Sequence, residues 1–237
     1  MESTKSGIEK VGVLGIGLMG GGIAQVAATR GFDTVVVDVT AEIIEKGMER
    51  IRGSLQRLVE SHQKSSGKTG VPPEEKENIL RRLRASTERR DLLDRDILIE
   101  AIVENEAAKK ETISALAQMG YRGVFVSNTS SISITRIAGA TPCPEKVMGL
   151  HFMNPVPVQV GCEVIRGFLT SEETWERVTA FCRELGKEPI FAEDKAGFGI
   201  NRMFIPFLVE AVKVVEEGVM SCEDADKTTL CLGHRMG

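Results

Sequence analysis

No apolar run in this chain reaches the length of about 18 residues that a membrane-crossing helix needs, so none is expected. The five cysteines, at positions 143, 162, 182, 222 and 231, include no C-x-x-C pair. An odd, scattered set of this kind makes neither a disulfide framework nor a zinc site. No metal centre is expected, and a reducing compartment is. A basic excess is also missing: 30 Lys and Arg against 34 Asp and Glu leave a net charge of −4. That argues against a general nucleic-acid-binding surface. The first nine residues hold no apolar signal core, and they are too short and arginine-poor for a transit peptide. What remains is ordinary for a globular protein: 237 residues, 42% hydrophobic and 27% charged. The length suits one large domain, or one domain with a small appendage.

Short apolar runs alternate with longer amphipathic ones. Lys10-Val-Gly-Val-Leu14 and Asp33-Thr-Val-Val-Val37 read as strands, with a Gly- and Ala-rich helix over residues 19–30 between them. Ile43, Ile44, Met48, Ile51, Leu55 and Leu58 have helical spacing over residues 41–60. Residues 97–102, 123–126 and 147–150 are further strand candidates. This alternation implies βαβ units and a parallel sheet. The polar stretch over residues 61–73 reads as a surface loop, with His62 solvated. Beyond Leu150, residues 163–165 and 189–192 suit strands, and residues 171–185 a helix with acidic residues in its first turn. One long helix is expected over residues 200–219. Ser221-Cys-Glu-Asp224 then caps a last short one.

Gly15-Ile-Gly-Leu-Met-Gly20 fits G-x-G-x-x-G, follows a strand and opens a helix. Gly15 permits the tight turn, Gly17 lets backbone approach a pyrophosphate, and Gly20 lets helix and strand pack closely. Unpaired N–H groups at the helix start face the phosphates. Asp38 lies 21 residues beyond Gly17, where a carboxylate accepts from a ribose 2′-OH. A 2′-phosphate there meets like charge, which favours NAD over NADP. FAD and a plain glycine-rich turn are the alternatives. The fold expected is a Rossmann-like, doubly wound, mainly parallel α/β sheet over residues 1–195, followed by a short helical segment over residues 196–237.

Ligands of open parallel sheets bind beyond the carboxyl ends of the strands. His151 stands just past the expected strand at 147–150, where an imidazole can serve as a base. The same position also suits a histidine packed on the following prolines. Glu163 lies in an otherwise apolar run. It either orients that imidazole or faces water at a strand edge. Ser127-Asn-Thr-Ser-Ser131 offers hydroxyl and amide groups to a ligand, or caps a helix. Asn201 caps the long helix or reaches a substrate.

These segments carry a resemblance. Gly15-Ile-Gly-Leu-Met-Gly-Gly-Gly-Ile-Ala24, Glu100-Ala-Ile-Val-Glu-Asn105, Ser127-Asn-Thr-Ser-Ser131, His151-Phe-Met-Asn-Pro-Val-Pro157 and Gly197-Phe-Gly-Ile-Asn-Arg202 resemble the NAD-dependent L-3-hydroxyacyl-CoA dehydrogenase family in order, across nearly the whole chain. The resemblance implies reversible oxidation of an L-3-hydroxyacyl-CoA to the 3-ketoacyl-CoA, in fatty-acid β-oxidation or related short-chain acyl-CoA metabolism. It implies His151 as the base that takes the C3 hydroxyl proton, and Glu163 as its carboxylate partner. Ser130 and Asn201 match residues that hold the reacting oxygen and the substrate. Asp38 matches the ribose binder, within a cofactor site that includes Gly15, Gly17, Leu18, Met19 and Gly20. Glu104, Lys109 and Asn154 match positions lining the cofactor and thioester site, and Ser54 matches a serine that touches coenzyme A. The resemblance further implies a homodimer, no nucleic-acid or membrane partner, and a place in the cytoplasm or mitochondrial matrix. An inactive NAD-binding remnant and a dehydrogenase of another 3-hydroxy acid are the competing readings.

The sequence also departs from the family. Val158-Gln-Val-Gly-Cys162 replaces bulkier residues beside Glu163, so a changed substrate pocket is expected. Gly199 stands where a branched apolar residue is common. Ser61 stands where a lysine holds coenzyme A phosphates, with Lys64 or Lys68 as substitutes. Leu232-Gly-His-Arg-Met-Gly237 resembles a segment after which family members continue for several helices. A shortened second domain is the corresponding expectation, with Ile205, Leu208, Val212 and Val215 exposed as an apolar patch.

Overall fold

A computed structural model describes residues 5–233. Strand β1 (Lys10–Leu14) is buried after its first residue, and so is β2 (Asp33–Val37). Continuous apolar runs of this kind suit strands covered on both faces. Helix α1 (Leu18–Thr29) joins the two and buries Ile23, Ala24, Ala27 and Ala28 against the sheet. Helix α2 (Ala41–Lys64) is capped by the Thr40 hydroxyl, which accepts from the Ile43 N–H. It buries Met48, Ile51, Leu55 and Val59 at helical spacing. Helix α3 (Pro73–Arg82) leads into β3 (Leu83–Ser86). Then follow β4 (Ile97–Glu100), α4 (Glu106–Gln118), β5 (Val124–Ser127), α5 (Ile134–Ala138) and β6 (Val147–Phe152). After these come β7 (Gly161–Arg166), α6 (Glu172–Glu184), β8 (Glu188–Glu193), α7 (Ile200–Glu216) and α8 (Cys222–Cys231).

The strands form one eight-stranded sheet in the order β3-β2-β1-β4-β5-β6-β7-β8. Every neighbouring pair is parallel except β6 and β7. The first six strands have the Rossmann order, whose reversal point lies between β1 and β4. Two apolar clusters cover the two faces of the sheet. Phe181 of α6 is fully buried, with its ring edge-on to Phe32 at 5.2 Å between centroids.

Several expectations need correction. Residues 61–64 continue α2, and the chain turns only over residues 65–72, where Gly67 and Gly70 take φ of +84° and +81°. These two glycines supply the left-handed geometry of that turn. His62 is half-buried on the last turn of α2 rather than solvated. The sequence reads the 61–73 stretch as the tip of a helical excursion without giving bounds for α3, and it does not reveal strand β3. His151 lies inside β6, not past it, because pairing with β7 carries the strand through Phe152. The cap of α5 is Ser133, whose hydroxyl accepts from the Arg136 N–H. Ser171 and Ser221 do cap α6 and α8. Ile205, Leu208 and Val212 are exposed on α7, whereas Val215 is half-buried. The end of the Leu232–Gly237 motif, residues 234–237, lies outside the described residues.

Phe181→Ala is expected to destabilise the fold by about 3–5 kcal/mol, through lost burial and the cavity left beside Phe32. Urea unfolding of parent and variant measures the difference.

Candidate active site

The carboxyl ends of β1, β4, β5 and β6 gather most of the residues singled out above. Gly15 takes φ of +89°, and a Cβ there would stand 2.6 Å from the Ala101 carbonyl oxygen. Only glycine fits both constraints. Gly17 forms the N-terminal boundary of α1, with no side chain capping that end and open space where a Cβ would project. Gly20 lies against the Gly15 backbone, so helix and strand approach closely. Asp38 receives the Ile16 N–H at 2.7 Å and the Val39 N–H at 2.7 Å. The acid therefore holds the glycine loop itself. Arg50 of α2 donates to the Ile16 carbonyl at 2.9 Å and braces the loop from the other side.

Two cavities meet at Gly17. One, of about 890 Å³, is bounded by Gly15, Gly17, Asp38, Ala101 and Ile102. The other, of about 600 Å³, is bounded by Gly17, Leu18, Ser54, Arg57 and Val156. Leu18 is exposed at this second cleft, whereas Met19 packs against the hydrophobic core and borders neither cavity. Asn154 is exposed in the loop after β6. That loop is held by the buried Lys187 ammonium, which donates to the Val156 and Gln159 carbonyls at 2.5 and 2.6 Å.

His151 and Glu163 face one another in the β6–β7 register. The His151 Nδ1 lies 2.7 Å from the Glu163 Oε2. Glu163 is fully buried, and its Oε1 accepts the N–H groups of Gly199 and Ile200 at 2.8 and 2.7 Å. These belong to the start of α7, so the carboxylate also meets the positive end of a helix dipole. Burial alone pushes a carboxyl pKa up. Here the bond to His151 and the two backbone donors outweigh it, and Glu163 sits below the usual glutamate range. An ionised Glu163 only accepts, so the His151 Nδ1 donates to it and Nε2 is the ring nitrogen left for a substrate.

Asn201 donates from Nδ2 to the Ser130 carbonyl at 3.0 Å, which brings these two residues together across the β5–α5 loop. The same loop closes on Glu104, whose Oε1 accepts from the Thr129 hydroxyl at 2.5 Å, the Ser130 N–H at 2.9 Å and the Ser131 hydroxyl at 3.2 Å. Burial opposes the ionised form of Glu104. The donors from Thr129 and Ser130, with the Lys109 charge, still bring its pKa below the usual range. Lys109, nearly inaccessible, stands 3.3 Å from the Glu104 Oε2.

Three features escaped the sequence reading. The α7 backbone donors to Glu163 carry no side-chain signal. Asp194 braces the start of α5 beside the Ser133 cap, accepting from the Ser133 hydroxyl and the Ile134 and Thr135 N–H groups at 2.7, 3.0 and 2.8 Å. Glu100 is fully buried at the end of β4. It is an acid ending the apolar run Ile97-Leu-Ile, and the signal that singled out Glu163 could have found it too.

Known proteins resemble this chain over most of its length. A family model described as "3-hydroxyacyl-CoA dehydrogenase, NAD binding domain" matches residues 10–195, and one for the C-terminal domain of the same enzymes matches residues 197–237. A probable 3-hydroxybutyryl-CoA dehydrogenase of Deinococcus radiodurans is 44% identical over 96% of this chain and 80% of its own. The mitochondrial hydroxyacyl-coenzyme A dehydrogenase of Mus musculus is 42% identical, covering 97% of this chain and 74% of that protein. A crystal structure of (S)-3-hydroxybutyryl-CoA dehydrogenase from Ralstonia eutropha superposes with a TM-score of 0.89 at 38% identity, covering 97% of this chain and 80% of that one. With both family models matched and relatives above 40% identity over nearly its whole length, the chain belongs to the 3-hydroxyacyl-CoA dehydrogenase family.

Proposed function

We propose that this protein is an NAD-dependent dehydrogenase interconverting L-3-hydroxyacyl-CoA thioesters and their 3-keto forms. One observation carries the reading: a histidine with a free Nε2, oriented by a buried carboxylate, at the carboxyl end of the strand beside the serine loop. The glycine loop fits the cofactor. Gly17 leaves its surroundings open, the start of α1 has no side-chain cap, and Asp38 borders the larger cleft.

NAD supplies the hydride acceptor. The chain's own residues do the rest. His151 Nε2 takes the proton of the C3 hydroxyl as the C3 hydrogen leaves as hydride. Glu163 stabilises the imidazolium that results and keeps the ring turned toward the substrate. Ser130 and Asn201, already joined by a hydrogen bond, hold the reacting oxygen. In reduction the same histidine returns the proton. Glu104 and Asn154 line the cofactor and thioester site, the buried Lys109 supports Glu104 from behind rather than lining the site itself, and Ser54 contacts coenzyme A from the second cleft.

Residues 1–195 form the NAD-binding domain in this reading, and residues 196–237 begin the helical one. The protein acts on small acyl thioesters in a reducing compartment, cytoplasm or mitochondrial matrix. It works as a homodimer, for which the exposed apolar positions of α7 offer a surface. Neither nucleic acid nor membrane is a proposed partner, in keeping with a net charge of −4.

The test is NADH oxidation with acetoacetyl-CoA, followed by the loss of near-ultraviolet absorbance, beside a free acetoacetate control. Turnover with the thioester alone is expected. Turnover with the free acid alone reassigns the substrate, and none with either, in a folded sample that binds NADH, removes the enzyme reading.

His151→Ala is expected to lower turnover by about 10²–10⁴-fold while NADH binding holds, as loss of a general base does. Retained turnover rules the base assignment out. Glu163→Gln is expected to lower turnover strongly and also to change the acid limb of stability. The folded-state pKa of Glu163 is lowered. Its contribution is therefore present above the ordinary glutamate range and is lost as pH falls through the lowered value. Thermal melts across that range check it: the variant's acid limb should be flatter than the parent's. Asp38→Ala is expected to weaken NADH more than NADPH, as nucleotide titrations would read. Equal loss of both sinks the ribose assignment.

A further inference from the structure

Glu100 has no part in the proton transfer, yet it is an acid with no access to solvent close to the site. It is fully buried at the carboxyl end of β4. Its Oε1 accepts the Lys109 ammonium at 2.7 Å and the Ile102 N–H at 2.9 Å. Its Oε2 accepts the Ser127 hydroxyl, at the end of the neighbouring strand β5, at 2.7 Å. Its own carbonyl accepts the Asn128 N–H at 2.8 Å, and the Asn128 side chain in turn accepts the Phe152 N–H at 2.9 Å, next to His151. The Lys109 ammonium, with only 1% of the side chain accessible, stands between Glu100 and Glu104. Glu104 closes the chain of contacts by holding the backbone of Ser130 and the hydroxyls of Thr129 and Ser131.

A lone ammonium at this depth costs several kcal/mol to desolvate unless it is paired and hydrogen-bonded. Glu104 alone is a poor anchor for it. That carboxylate is 41% exposed, lies at 3.3 Å, and already serves three other donors. Glu100, closer and dry, is the group that fixes where Lys109 points.

We propose that Glu100 is a positioning residue for dinucleotide binding: through Lys109 it holds Glu104, and with it the 129–131 loop, in the binding geometry. This rests on the reading above that Glu104 lines the cofactor site with Lys109 behind it. Outer carboxylates that orient an inner binding group commonly affect affinity by about 10–100-fold in metal sites, and a comparable hierarchy operates here between two charged side chains.

The experiment compares the parent protein with Glu100→Gln, Lys109→Met and the double variant. It measures NADH affinity by the fluorescence of the bound nicotinamide, and the unfolding temperature of the nucleotide-free protein. Glu100→Gln keeps the shape and removes the charge. It is expected to weaken NADH about tenfold. In the Lys109→Met background the same change is expected to cost nothing further, because the group it acts through is gone. A merely structural role would lower the unfolding temperature in both backgrounds and would not show that non-additivity. Parent-like affinity in Glu100→Gln, or an equal loss in both backgrounds, overturns the proposal and leaves the site assignment standing. Parent-like affinity in Lys109→Met removes the site assignment and the proposal together. If Glu100→Gln does not fold, Glu100→Asp carries the test. It keeps the charge and draws the carboxylate back from Lys109 by one methylene, weakening the 2.7 Å contact. A threefold or greater loss, on the order expected when one such hydrogen bond is removed, supports the proposal, and parent-like affinity overturns it.

Discussion

A carboxylate with no access to solvent, Glu163, sets the terms for much of this structure. Removing such a charge from water costs several kcal/mol unless good partners surround it. Three donors supply them, and they come from different parts of the chain: the His151 ring on β6 and the N–H groups of Gly199 and Ile200 at α7. The antiparallel β7 follows from the same requirement. Running against β6, it brings Glu163 directly opposite His151 in register. A one-residue slip would turn the acid to the other face of the sheet. The position of the base, the pairing of two strands and the docking of a helix are therefore one constraint.

The same economy recurs around the site. Asp38 holds the Ile16 N–H of the glycine loop, Asp194 holds the start of α5, and Glu104 holds the Ser130 segment. Each is an acid accepting backbone N–H groups, an arrangement stronger and more directional than a neutral hydrogen bond. Loops at the carboxyl ends of parallel strands have no ladder of their own to fix them. Here carboxylates from neighbouring elements do that work, and the loops reach the site already shaped.

The sequence was most informative where periodicity and glycine chemistry act locally. The β1–α1–β2 unit, the glycine loop and the acid that follows are all readable because each depends on residues within one short segment. The Ser171 and Ser221 caps were readable for the same reason. Strand β3, Leu-Arg-Ala-Ser, was not. Only its first residue is buried, and its place in the sheet comes from pairing with β2. The extension of β6 through His151 likewise depends on a partner strand ten residues further on. The resemblance could name His151, Glu163, Ser130 and Asn201. The donors from α7 to Glu163 are backbone groups, and a backbone N–H has no letter in a sequence.

Helix α7 shows how much of the second layer the catalytic geometry depends on. None of its residues is buried. It nevertheless meets the sheet domain through its first turn, where the Gly199 and Ile200 N–H groups bind Glu163 and the Asn201 amide binds Ser130. Burial is not what seats this end, because the contacts are a charge-assisted pair and one amide bond. Their strength depends on Glu163 being ionised, which its lowered pKa ensures at neutral pH. A displacement of that first turn would strip two donors from the carboxylate and leave its buried charge to His151 alone, at a desolvation cost no longer offset. The seating of the helix and the ionisation of the carboxylate that orients the base are thus coupled through a single side chain.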